Sequence, residues 1–144
     1  METGTMTFMA DPPLASALEA VGDRWTLLVI DALLNRPMKF GELQAAIPGV
    51  APNTLSQRLQ HLDRESLVVA RPYQERPPRF TYALTEQGRQ LAGALHMLAE
   101  WGARRSGAEL PRHATCGSQM ETRFWCPTCA RVVEPDEASD ARVL

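Results

Sequence analysis

The segment from Lys39 to Thr85 constrains this chain most, because its apolar spacing changes period within it. Phe40, Leu43 and Ile47 recur at intervals of three and four, which predicts a short amphipathic helix ended by Pro48-Gly49. Pro52 can open a second helix, since a first helical residue needs no N–H, and the pattern continues to Arg64. At roughly 100° per residue, Leu55, Leu59 and Leu62 fall within about 60° of one another and form its one apolar stripe. Leu67-Val68-Val69-Ala70 and Phe80-Thr81-Tyr82-Ala83-Leu84 then read as two strands, separated by the turn-rich stretch from Tyr73 to Arg79.

A connection of only a few residues makes the two helices cross steeply and share one core, leaving the polar face of the second outside. Helix, turn, helix and hairpin in this order are the build of a winged helix-turn-helix, whose second helix enters a major groove. Asn53, Gln57, Gln60 and Arg64 centre on the polar face, with Thr54, Arg58 and His61 on its flanks. Amides pair with adenine, arginine with guanine and hydroxyls with either, so Asn53, Thr54, Gln57, Arg58 and His61 are the candidate DNA contacts of this helix. At the hairpin tip, Glu75-Arg76-Pro77-Pro78-Arg79 combines two prolines that stiffen the loop with Arg76 and Arg79, suited to phosphates or a minor groove. Taken singly, such a helix is more often a solvated face, and such a hairpin is as often plain surface. The order of the elements is what favours nucleic acid.

Several motifs resemble one known family. Glu19-Ala20-Val21-Gly22-Asp23-Arg24-Trp25-Thr26-Leu27-Leu28, Phe40-Gly41-Glu42-Leu43, Leu55-Ser56-Gln57-Arg58-Leu59, Pro77-Pro78-Arg79-Phe80-Thr81-Tyr82 and Leu84-Thr85-Glu86-Gln87-Gly88-Arg89 follow one another as in the HxlR-type winged-helix regulators of bacteria. The resemblance covers about Asp11 to Arg105 and implies a homodimer on operator DNA, more often a repressor. Where the family often has an oxidant-sensing cysteine before a proline, this chain has Asp11 before Pro12, so that switch is not expected. Where many members cap the recognition helix with serine, this chain has Ala51, so the cap must come from elsewhere or be weaker by about 1 kcal/mol.

Charge is distributed in keeping with this. The chain carries a formal net charge of −2, modest for a nucleic-acid binder. Residues 51 to 89, however, hold six basic and four acidic groups, against three and six before them and six and seven after. The positive excess falls on the proposed recognition helix and wing. A length of 144 residues with 44% hydrophobic content predicts one core domain plus an appendage. No run approaches about 18 apolar residues and no basic-then-apolar leader opens the chain, so a cytoplasmic protein is expected.

Two further helical regions flank the core. Leu14, Leu18 and Val21 mark a short segment before Gly22, after which Asp23 can cap a helix carrying Trp25, Leu28, Val29, Ala32 and Leu33. Thr85 can cap a long helix with a stripe of Leu91, Leu95, Leu98 and Trp101. Because the resembled family is dimeric, the first and last helices are the expected interface.

The tail holds a separate pattern. His113 and Cys116 give H-x2-C, and after nine intervening residues Cys126 and Cys129 give C-x2-C, which together match a tetrahedral structural zinc site. Gly117 and Pro127 would turn the backbone, while Ala130 stands where zinc knuckles commonly have glycine. The rival reading is reduced surface cysteines in a mobile tail. Enzymatic readings fail: a zinc deaminase needs H-x-E before P-C-x-x-C, but Thr115 follows His113 by two and Trp125 precedes Cys126. A thioredoxin-like use of Cys126-Pro127-Thr128-Cys129 lacks its βαβ setting.

The expected architecture is α+β and mainly helical: a winged helix-turn-helix with a two-stranded wing, flanking dimerisation helices and a small zinc-knuckle-like tail. Its expected parts are a flexible 1–10, the DNA-binding and dimerisation domain 11–105, a zinc-binding tail 106–133 and a flexible 134–144. The expected function is sequence-specific transcriptional regulation, as a homodimer on an inverted repeat and open to an unidentified small-molecule effector. The alternative is a zinc-containing module that uses the winged domain for protein contacts.

Overall fold

The computed structural model describes residues 12–138. Asp11, residues 1–10 and residues 139–144 lie outside the described residues. The chain forms two compact units, one ending at Ala92 and the other starting at Gly93. The expected boundary at 105 therefore differs from the division between the units.

In the first unit, α1 (Pro13–Val21) and α2 (Arg24–Asn35) are separated by Gly22 and Asp23. Asp23 caps α2 by accepting the N–H groups of Trp25 at 3.0 Å and Thr26 at 3.1 Å. Thr26, Val29, Ile30 and Leu33 are the buried face of α2, rather than the expected Trp25, Leu28, Val29, Ala32 and Leu33. Leu28 is exposed and Trp25 and Ala32 are half-buried, because the face that meets α4 and the sheet is rotated toward Ile30. A run as apolar as Trp25 to Leu34 leaves that rotation undetermined by sequence.

Next come β1 (Met38–Lys39), α3 (Phe40–Ala46) and α4 (Pro52–Arg64). Gly49, at φ +85°, makes the turn between the helices in a conformation that a β-carbon disfavours. The bounds of α4 match the expected helix, while α3 ends at Ala46, with Ile47 as its extended cap rather than its last helical residue. Ala51 makes no side-chain cap, as its identity requires. The wing is β2 (Val68–Gln74) and β3 (Arg79–Leu84), antiparallel from Val68↔Leu84 to Gln74↔Arg79 with a bulge at Tyr73. The strands reach further out than expected, leaving residues 75–78 as the tip. The sheet also has a third strand: β1 pairs with β3 through Met38↔Tyr82 and Lys39↔Thr81. Two residues are too few for any period to show in sequence.

The core of this unit joins Val29, Ile30 and Leu33 to Leu43, Ile47, Leu55, Leu59, Leu62, Leu67, Val68 and Leu84. Burial of these side chains, each worth about 1.5 to 3 kcal/mol, holds α4 with its polar face outward. Thr85 caps α5 (Glu86–Arg89) through the Gly88 N–H, as expected of Thr85. The helix then stops, and α6 (Ala92–Ser106) starts afresh, so the single long helix expected from Thr85 is two helices. Gly88 packs against the Leu67 carbonyl, where a β-carbon would lie 2.3 Å from its oxygen.

The second unit contains the rest of α6 and a small hairpin of β4 (Phe124–Cys126) and β5 (Arg131–Val133), followed by α7 (Pro135–Ala138). Arg131 grips the Glu137 carboxylate with both terminal nitrogens, so residues 135–138 are helical where flexible chain was expected. Ala130 adopts φ +52°, the conformation for which glycine was anticipated at that position. No helix among the described residues is long and apolar enough to cross a membrane.

Candidate nucleic-acid interface

On α4, Leu55 and Leu62 are fully buried and Leu59 nearly so, which turns the opposite face to solvent. Asn53, Gln57, Gln60 and Arg64 lie on that outward side, while Thr54, Arg58 and His61 occupy its flanks. The flank residues differ in what they touch. Arg58 Nε lies 3.0 Å from Asp23 Oδ1, an ion pair by distance although the N–H is not aligned as a hydrogen bond. With both side chains about a third exposed or more, it is worth at most about 1 kcal/mol. His61 Nε2 lies 2.7 Å from the Ala20 carbonyl oxygen. The polar face is thus divided into side chains open to a ligand and side chains engaged with the α1–α2 corner.

The wing presents Arg76 at its tip and Arg79 as the first residue of β3, both exposed. Gln74 Nε2 donates to the Arg76 carbonyl at 3.1 Å and so steadies the tip, where the Arg76–Pro77 peptide is cis. Ion pairs among the described residues join Arg36 to Glu42, Arg58 to Asp23, Arg104 to Glu100, Arg123 to Glu121 and Arg131 to Glu137, leaving both wing arginines unneutralised. Lys39, which sequence reasoning did not single out, adds a cation at the wing base, its Nζ 4.5 Å from the centre of the Tyr73 ring. With Phe40, Tyr73, Arg79, Phe80 and Tyr82 it lines an open cleft of about 320 Å³. Glu42 accepts the Lys39 N–H at 2.9 Å and fixes where α3 starts.

The tail brings its four expected ligands together in twos. His113 Nδ1 is 3.3 Å from Cys116 Sγ, and the Cys129 N–H reaches Cys126 Sγ at 3.5 Å. Hydrogen bonds from Ser118, then from His113, lower the Cys116 thiol to about 7. The Cys129 N–H and thiol lower Cys126, and that neighbour in turn raises Cys129. Among the described residues no three His, Cys, Asp or Glu side chains stand together as a metal-binding group. The donor types suit zinc; their placement as two separate pairs does not close a tetrahedron.

Comparison with known proteins agrees with the helix-turn-helix geometry. Residues 20–109 match the model of the HxlR-like helix-turn-helix family. The chain is 38% identical over 130 residues to Rv3095 of Mycobacterium tuberculosis, an uncharacterized HTH-type transcriptional regulator, covering 83% of this chain and 82% of that protein. It is 34% identical over 90 residues to YvaP of Bacillus subtilis, likewise an uncharacterized HTH-type transcriptional regulator, covering 62% and 83%. Among solved structures, the reduced form of the transcriptional regulator YodB from B. subtilis superposes with a TM-score of 0.56 at 30% identity, over 67% of this chain and 94% of that one. The chain belongs to the HxlR-like helix-turn-helix family, a family of transcriptional regulators with a DNA-binding fold and not of enzymes.

Proposed function

We propose that the protein binds operator DNA sequence-specifically as a homodimer and acts as a repressor. The observation that carries this is the outward row of Asn53, Gln57, Gln60 and Arg64 on a helix whose other face is locked in the core. Asn53, Thr54 and Gln57 read base edges from the N-terminal half of α4, and Arg76 and Arg79 hold phosphates. The dimer is supported by apolar side chains left exposed in each unit: Leu14 and Leu18 on α1, Leu98 and Trp101 on α6. A two-fold dimer reads an inverted repeat with half-sites about one helical turn, roughly 34 to 36 Å, apart.

In vitro selection of a binding site tests the reading, followed by titrations of two variants. Gln57→Ala should lose about 1 to 3 kcal/mol of discrimination at one base pair per half-site. The Arg76→Ala/Arg79→Ala double variant should instead weaken all DNA alike and reduce the salt slope by about 0.9 for each phosphate no longer neutralised. No enriched sequence for the wild type, or an unchanged salt slope in the double variant, would contradict the assignment.

The same proposal includes one structural zinc per chain on His113, Cys116, Cys126 and Cys129. Its support is the H-x2-C and C-x2-C spacing. Since the pairs stand apart, binding must draw them together, and zinc should order the tail without altering the helix-turn-helix. Metal analysis of protein purified under reducing conditions should find stoichiometric zinc, absent from Cys126→Ser. Three freely reactive thiols and no metal would remove the site.

A further inference from the structure

We infer that Arg58 and His61 are positioning residues, which fix the recognition helix on the corner between α1 and α2 and do not read bases. This rests on the DNA-binding reading above. Asp23 is a stiff anchor: the oxygen that meets Arg58 Nε at 3.0 Å also accepts the Trp25 and Thr26 N–H groups at 3.0 and 3.1 Å, with the Thr26 hydroxyl at 3.4 Å. Because the first turn of α2 holds this oxygen, Arg58 meets a partner of set position. Three residues further along α4, on the same flank, His61 reaches the Ala20 carbonyl at 2.7 Å. One side chain thus touches the corner before Gly22 and the other after it. Two attachments three residues apart on one helix fix its rotation about its own axis as well as its position. That rotation decides which of Asn53, Gln57 and Gln60 points at a base, and a misplacement of about 1 Å at a binding constellation is enough to remove much of its effect. The motifs Gly22-Asp23-Arg24-Trp25 and Leu55-Ser56-Gln57-Arg58-Leu59 are therefore two halves of one junction.

A double-mutant cycle on the full chain separates positioning from base reading. Asp23→Asn keeps an N-cap acceptor but removes the charge, and Arg58→Gln removes the other partner. Each should weaken binding to the site selected by the wild type about two- to fivefold, and the double variant by little more than either single one, because both break the same ion pair. The selected consensus should stay the same at every position, and the salt slope should stay at its wild-type value. His61→Gln, which retains a donor for the Ala20 carbonyl, should bind like wild type while His61→Leu binds more weakly. Melting curves within a few degrees of wild type confirm that the variants fold. Relaxed choice at one base pair in Arg58→Gln but not in Asp23→Asn, or multiplying effects in the double variant, would overturn the inference. A wild type that enriches no sequence would overturn the DNA reading itself and this role with it.

Discussion

Leu59→Ala is expected to lower the unfolding free energy of the helix-turn-helix unit by about 2 to 5 kcal/mol, seen as a lower denaturant midpoint with little change of slope. Leu59 is 3% exposed and stands between Leu55 and Leu62, both at 0%, so its isobutyl group has no solvent to retreat to and the helix backbone prevents collapse into the gap. A change of this size is a large fraction of the stability of a small domain. It should weaken DNA binding only by lowering the folded fraction, whereas Gln57→Ala on the outer face of the same helix should melt like wild type. A Leu59→Ala protein as stable as its parent would mean that the inner stripe is not the core of the domain.

The contrast between Leu59 and Gln57 was legible in the sequence because α4 is so polar elsewhere that three leucines define one face without ambiguity. The bounds of α4, the Asp23 cap and the hairpin were legible for related reasons: proline, aspartate and alternating strands act through neighbours in sequence. What was not legible depends on distant neighbours. The Asp23–Arg58 and His61–Ala20 pairs link residues 35 and 41 positions apart, and no periodicity reports a flank side chain that folds onto another helix. The rotation of α2 was hidden by its uniformly apolar composition, and β1 by its two-residue length. In the tail, spacing alone brought His113 to Cys116 and Cys126 to Cys129, since residues three apart meet in a turn. Spacing does not specify the approach of one pair to the other, which needs long-range packing or the metal itself.

The end of the wing carries the other large effect: Gly88→Ala should destabilise the first unit by about 1 to 3 kcal/mol or more, although alanine is the better helix former. A methyl group at this position would lie 2.3 Å from the Leu67 carbonyl oxygen and 3.1 Å from Leu84 Cδ2. That oxygen cannot move aside cheaply, because it accepts the Thr85 N–H at 3.0 Å. Thr85 is in turn fixed on both sides: its hydroxyl donates to the Ser66 carbonyl at 2.7 Å and accepts the Gly88 N–H at 3.1 Å. The methyl group would therefore strain the junction where β2 starts and β3 ends, next to the Val68↔Leu84 pair that roots the wing. Gly93 and Gly102 supply the control, since both are in α6 and a β-carbon at either would meet nothing within 4 Å. Gly93→Ala and Gly102→Ala should leave stability unchanged or raise it by about 0.5 to 1 kcal/mol, the helical preference of alanine over glycine. Denaturation of the three variants side by side measures the difference in sign. If Gly88→Ala were as stable as Gly102→Ala, the α5 turn would not be seated against Leu67.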